Sequence, residues 1–206
     1  LAVPLHGRAA LIISECQRGI VEQGMGGFAG LIGQVEERRV LPRIARLAER
    51  FRGAGLPVCH LTIAHRPDFA DVQPNSLLAV MARKNRLLIV GSPEAEIVED
   101  LTPAPQDFIV ARSSGLIGLH GTALDAMLRR MRIGTIVIAG VSTNVAVAGC
   151  AMAGADLGYH VIIAEDCVAA ADPATHEVII RDQLRMVARV ASADEIEQAL
   201  LASGPY

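Results

Sequence analysis

The chain has 206 residues, of which 51% are hydrophobic, 20% charged and 3% aromatic, with no Trp and a net charge of −3. That length holds one domain, residues 1–206, with a sizeable core, and the apolar fraction excludes a disordered chain. The weakly acidic balance and the scarcity of rings, two Tyr and four Phe, exclude the basic and stacking surfaces that nucleic acid requires.

No membrane partner is expected either. The longest apolar stretch, Thr135 to Ala155, is interrupted by Ser142, Thr143 and Asn144 and by several glycines. No basic segment leads into an apolar one in the manner of a secretory leader. Cys16, Cys59, Cys150 and Cys167 are scattered, with no CxxC or metal-ligand spacing, which fits reduced thiols in a cytoplasmic protein.

In chain order, the apolar run Ala9–Ser14 reads as a first strand, followed by a glycine-rich loop from Gly24 to Gly33. That loop lacks the Lys-Ser/Thr of a phosphate-binding loop and lies well past the strand, so it reads as a lid or plain surface loop. Val35–Ala54 carries apolar residues at helical period and stops at Gly53 and Gly55. Pro57–Ile63 is a second strand. Residues 66–106 are Pro-rich and irregular, with short helices expected near Leu77–Ala82 and Glu94–Asp100. Asp107–Arg112 is a third strand, Thr122–Met131 an amphipathic helix and Thr135–Ala139 a fourth strand. The small-residue helix Asn144–Leu157 follows, then strand Val161–Glu165, a helix near Ala174–Leu184 and a sixth strand, Met186–Val190. Ser192 and Glu195 have capping-box spacing and open a last helix to Leu201. Strands alternating with helices predict a single α/β domain with a six-stranded parallel sheet covered on both faces.

The stretch Ile136–Val147 is the most telling. An apolar strand runs through Gly140-Val141-Ser142-Thr143-Asn144 into a helix of small residues. This places a helix N-terminus and free N–H groups at the C-terminal edge of a parallel strand, where open α/β sheets bind ligands. A nucleophile in the first helical turn would stand at Ala146, which has no reactive group.

The order Ser14-Glu15-Cys16-Gln17, then Arg112-Ser113-Ser114, then His120-Gly121-Thr122-Ala123-Leu124-Asp125, then Gly140-Val141-Ser142-Thr143-Asn144 resembles the isochorismatase-like hydrolases. That superfamily includes isochorismatases, nicotinamidases and N-carbamoylsarcosine amidases. The resemblance runs from the first strand to about Ala171. It implies a six-stranded parallel sheet and an Asp–Lys–Cys trio whose positions here are Glu15, Arg112 and Ala146, so all three depart from the common pattern. It also implies a cis peptide at Val141–Ser142, with the N–H groups of Ser142 and Ala146 forming an oxyanion hole. Like many relatives, the chain is expected to form a homo-oligomer.

These departures narrow the chemistry. An amide-cleaving thiolate is impossible at Ala146. Isochorismatases that cleave a vinyl ether by acid–base chemistry without a Cys are the nearer resemblance. Arg112 keeps its charge at any working pH and is expected to lower the pKa of Glu15, making it a better base than acid. Arg112 also suits a bidentate grip on a substrate oxyanion. Gln17, Thr143 and Asn144 are further binding candidates, and Ser113 or Ser114 would orient a water or the ligand. The alternative for Glu15 and Arg112 is a buried structural ion pair.

Cys150, one helical turn past Ala146, is either a displaced nucleophile or a core thiol, and its apolar helix favours the core. Cys16 should face the core opposite Glu15. His60 and His65 lack the Asp spacing of a metal site and are assigned to a pocket rim or a hydrogen-bonded core; no metal and no cofactor are expected. Asp166 and Asp172 read as turn caps. The leading reading is a hydrolase for a small anionic or carbonyl-bearing metabolite. A catalytically silent relative that binds a ligand or partner is the other.

Overall fold

The computed structural model describes residues 3–203. The sheet is six-stranded, every pairing is parallel, and the order is β3-β2-β1-β4-β5-β6. In chain order the elements are β1 (Arg8–Ser14), α1 (Arg18–Val21), α2 (Ala29–Glu37), α3 (Val40–Gly53), β2 (Val58–Ile63), α4 (Leu77–Asn85) and β3 (Phe108–Arg112). Then follow α5 (Leu124–Arg130), β4 (Ile133–Val141), α6 (Ala148–Asp156), β5 (His160–Ala169), α7 (Pro173–Val178), α8 (Arg185–Val187), β6 (Arg189–Ala191) and α9 (Ala193–Ala202).

The alternation of β1 divides the two cores. Ala9, Leu11 and Ile13 face a layer built on Val40, Ile44, Leu47 and Phe51 of α3 and Ile196 and Leu200 of α9. Ala10 and Ile12 face the opposite layer, with Leu124 and Leu128 of α5 and Ala148, Cys150 and Ala151 of α6. A strand buried on both sides is apolar on both faces, which is why β1 and β4 read as nearly continuous hydrophobic runs.

Several boundaries differ from the sequence expectation. The helix expected over Val35–Ala54 is two, α2 and α3, separated by Arg38 and Arg39, with Arg39 in the left-handed region at φ 53°. Pro42 accounts for the break, because a proline is tolerated in a first helical turn but clashes with the carbonyl four residues earlier in a helix interior. The glycine-rich segment is correspondingly shorter, since α2 starts at Ala29. The segment expected to be helical near Glu94–Asp100 forms two short 3₁₀ turns, Pro93–Ala95 and Glu99–Leu101. The sixth strand is Arg189–Ala191, not Met186–Val190, because the helical chain continues through Val187 and leaves Met186 exposed. Helices α6 and α7 each adjoin a wider π turn, Thr143–Val147 and Ile179–Leu184.

The sheet reverses direction of growth at the β1–β4 pair, and such a switch point opens a crevice at the carboxyl ends of the strands. Gly140 makes the close pairing there possible. It sits at φ 98°, and a Cβ on it would strike the Ser14 backbone, 2.7 Å from its nitrogen. The polypeptide therefore leaves β1 at Glu15 and β4 at Ser142 on either side of one crevice.

Candidate active site

Glu15 is the first residue beyond β1 and adopts φ 51°, a left-handed conformation uncommon for a side-chain-bearing residue. Its N–H donates to the Leu61 carbonyl of β2 at 3.0 Å, so the turn is held by the sheet. Arg112, the last residue of β3, reaches over the end of β2, and its Nη2 donates to Glu15 Oε1 in a close ion pair. Both side chains are largely enclosed, at 7% exposure for Arg112 and 17% for Glu15. The Arg112 Nε is buried without a hydrogen-bond acceptor.

Burial pushes the Glu15 carboxyl above its ordinary value, and the opposing charge and hydrogen bond of Arg112 only partly offset that. Arg112 does lower it, as expected, but the net shift is upward, so the expectation of a depressed carboxyl is corrected. The physical reason is depth: at the floor of a crevice the loss of water outweighs one cation.

The two side chains lie at the floor of a cavity of about 600 Å³. Ser114, beyond β3, and Ser142, beyond β4, also line it, as does His65. His65 Nδ1 lies 2.7 Å from the Ser113 carbonyl, and since a carbonyl only accepts, Nδ1 carries the hydrogen. The peptide Val141–Ser142 is cis, as the resemblance implies.

Other candidates are placed elsewhere. Gln17 is completely buried and does not line the cavity. Its Nε2 donates to the carbonyls of Ile63 at 2.8 Å and Ala95 at 2.7 Å, while its Oε1 accepts from the Ile63 N–H at 2.8 Å. With its amide fully used on backbone, it is a strut fixing the end of β2, not a binding group. Thr143 is buried too, and its hydroxyl lies 3.0 Å from His176 Nδ1. Asn144 is exposed and Ala146 is 2% exposed, and neither side chain lines the cavity; Val145 does. Ser113 lines a second hollow, together with His120, that shares Arg112 and Ser114 with the first.

His176 went unnoticed in the sequence because its partner lies 33 positions away. Burial first, and the charge of Arg38 second, lower its pKa to about 4, so it is neutral near pH 7. His60 is a hydrogen-bonded core residue, with Nε2 3.2 Å from Asp107 Oδ2. Asp172 caps α7 through the Thr175 N–H, and Asp166 accepts from the Ala193 N–H. Cys150 is fully buried and burial raises its thiol pKa, while Cys16 is pushed up to about 12. Among the described residues, no group of three or more His, Cys, Asp and Glu side chains is placed to hold a metal ion. Nor is any helix there long and apolar enough to cross a membrane.

A switch-point crevice with an ion pair at its floor is where open α/β sheets bind small ligands, and comparison with known proteins gives the family. The isochorismatase domain model matches residues 9–195, and the chain belongs to the isochorismatase family of hydrolases. It is 31% identical over 198 residues to YecD, an uncharacterized isochorismatase family protein of Escherichia coli, covering 93% of this chain and 95% of that one. It is 31% identical over 209 residues to the ureidoacrylate amidohydrolase RutB of Methylorubrum extorquens, covering 92% of this chain and 82% of that one. The crystal structure of an isochorismatase family protein from Desulfovibrio vulgaris superposes with a TM-score of 0.82 at 27% identity, covering 94% of this chain and 98% of that one.

Proposed function

We propose that the chain hydrolyses a small anionic or carbonyl-bearing metabolite by acid–base chemistry at Glu15, without a cysteine nucleophile. The observation that carries this is the enclosed Glu15–Arg112 pair at the cavity floor, with the carboxyl of Glu15 shifted toward its protonated form. A protonated Glu15 gives its proton to the scissile group. The carboxylate left behind is stabilised at once by Arg112, which cannot itself lose a proton. Water then adds to the activated carbon and its surplus proton returns to Glu15. The adduct collapses to a carbonyl as its C–O or C–N bond breaks and Glu15 passes the hydroxyl proton to the leaving atom, so the site is restored after each turnover. Arg112 lines the cavity, and its guanidinium suits it to grip a substrate oxygen as well.

The N–H of Ser142, at the edge of the same cavity, is the proposed oxyanion donor, and Ser114 the proposed ligand-orienting hydroxyl. The N–H of Ala146 belongs to this proposal only as backbone, since the residue offers no side-chain chemistry. The ureidoacrylate amidohydrolase activity named for the RutB relatives supports hydrolysis of a carbonyl group as the reaction class.

The test is a screen of small amides and vinyl ethers by NMR, followed by the Glu15→Gln variant. That change keeps the shape and removes the titrating proton, so kcat should fall by about 10²-fold or more. Unchanged turnover in Glu15→Gln would overturn the mechanism. Tight binding of small anions by a wild-type protein that turns over none of them would favour a silent binding protein instead.

A further inference from the structure

The cavity is much larger than the chemistry at its floor requires. At about 30 Å³ per water-sized atom group, roughly 600 Å³ has room for about 20 non-hydrogen atoms. A carbonyl, its leaving atom and an attacking water occupy only about a fifth of that. The remaining walls are mainly apolar. They carry Ile20 of α1, Phe28 and Leu31 at the start of α2, and Leu78 and Met81 of α4, with Leu88 beyond them.

These walls are built rather than incidental. The segment after α4 is tied to the end of β2: the His65 N–H donates to the Leu88 carbonyl at 2.7 Å, and the Val90 N–H to the His65 carbonyl at 2.9 Å. Helix α4 rests on its own small cluster of Phe69, Val72 and Ala82, outside the two main cores. Leu78 and Met81 are only half-buried and line the cavity instead. The opposite wall is brought close by Gly27, at φ 64°, where a Cβ would lie 2.9 Å from the Ile20 carbonyl oxygen. Of the polar residues around the 71–76 segment that line it, Asp71, Gln73 and Asn75 are exposed and Ser76 is half-buried, its hydroxyl used in capping α4.

A polar floor and an apolar shaft match a molecule with the same division. We infer that the substrate is a carbonyl compound bearing an apolar tail of about six to ten carbons, with the tail lodged between α4 and the Ile20–Leu31 wall. This rests on the Glu15–Arg112 floor being the reacting end, but it is carried by the lining and can be tested by binding alone.

The experiment measures dissociation constants for straight-chain primary amides from acetamide to dodecanamide, by calorimetry on the wild-type protein. Burial of a methylene at about 0.8 kcal/mol corresponds to a roughly fourfold gain, so affinity should rise about two- to fourfold per carbon and level off near ten. Met81→Gln should flatten that slope while leaving acetamide binding unchanged. Phe28→Ser, from the opposite wall, should do the same and serves if the α4 variant misfolds. Affinity independent of chain length, or a slope preserved in both variants, would overturn the inference. A steep wild-type slope that both variants flatten, beside unchanged turnover in Glu15→Gln, would instead retain the tail site and reject the acid–base mechanism.

Discussion

Gln17 offers the sharpest test of how the site is held, because its three hydrogen bonds all end on backbone. Gln17→Leu has nearly the same volume and removes all of them. It strands the N–H and carbonyl of Ile63, which is 9% exposed, and the carbonyl of Ala95, which is half-buried and can recover a water. An unsatisfied buried group costs about 1–3 kcal/mol, so two such groups and a partly rescued third give roughly 4 kcal/mol. For a chain of this size each kcal/mol moves Tm by about 2–4 °C, which predicts a drop on the order of 10 °C. Urea unfolding should show a lower midpoint with an unchanged m value, since the same surface is exposed in both proteins. Gln17→Glu should be worse at neutral pH despite its shape, because a carboxylate would face the two carbonyls that now receive N–H groups. A loss under about 1 kcal/mol in Gln17→Leu would refute the strut, because it would mean that backbone or water replaces the amide without cost.

The remaining expectations concern titration and reactivity. Turnover in the wild-type protein should fall as pH rises through the raised pKa of Glu15, a descending limb above the ordinary carboxylate range that is absent in Glu15→Gln. Arg112→Lys keeps the charge and loses the fork, so KM for an anionic substrate should rise more than kcat falls. Arg112→Ala should destabilise the fold by roughly 3 kcal/mol at pH 8 and by less at pH 5, where Glu15 takes up a proton instead of standing as an unpaired carboxylate; equal melting shifts at both pH values would contradict this. His176 stays neutral in the fold down to about 4, whereas the unfolded chain protonates it near 6.5. Its contribution is therefore complete above 6.5 and is lost as pH falls toward 4, by up to roughly 3 kcal/mol at 1.36 kcal/mol per unit. His176→Gln should flatten that part of the Tm–pH curve. Native Cys150 should resist iodoacetamide, being buried with a raised pKa, and rapid labelling with loss of an amidase activity would restore it as a nucleophile.

The sequence by itself determined the sheet and the ends of its strands. β1 and β4 are apolar along most of their length because both faces are buried, and the turn residues after them follow within a few positions, so Glu15 and Ser142 were legible as neighbours of the crevice. Arg112 was legible for the same reason, at the end of β3. The capping box at Ser192 and Glu195 is equally local, and it forms as the spacing predicts.

What only the tertiary structure decided depends on contacts between distant segments. Gln17, Thr143 and Asn144 look alike in a motif, yet one is spent on backbone from β2, one is buried against His176 and one is exposed. The direction of the Glu15 shift could not be read from its pairing with Arg112, because it is set by how much water the surrounding chain excludes. The apolar shaft was hidden for a related reason. Its walls come from residues around 20–31 and 78–88, an irregular stretch without a sheet or bundle periodicity, and their lining role exists only once the backbone of His65 ties the second segment above the end of β2. Periodicity records which side of an element meets its own core, but a cavity wall is made where separate elements fail to meet.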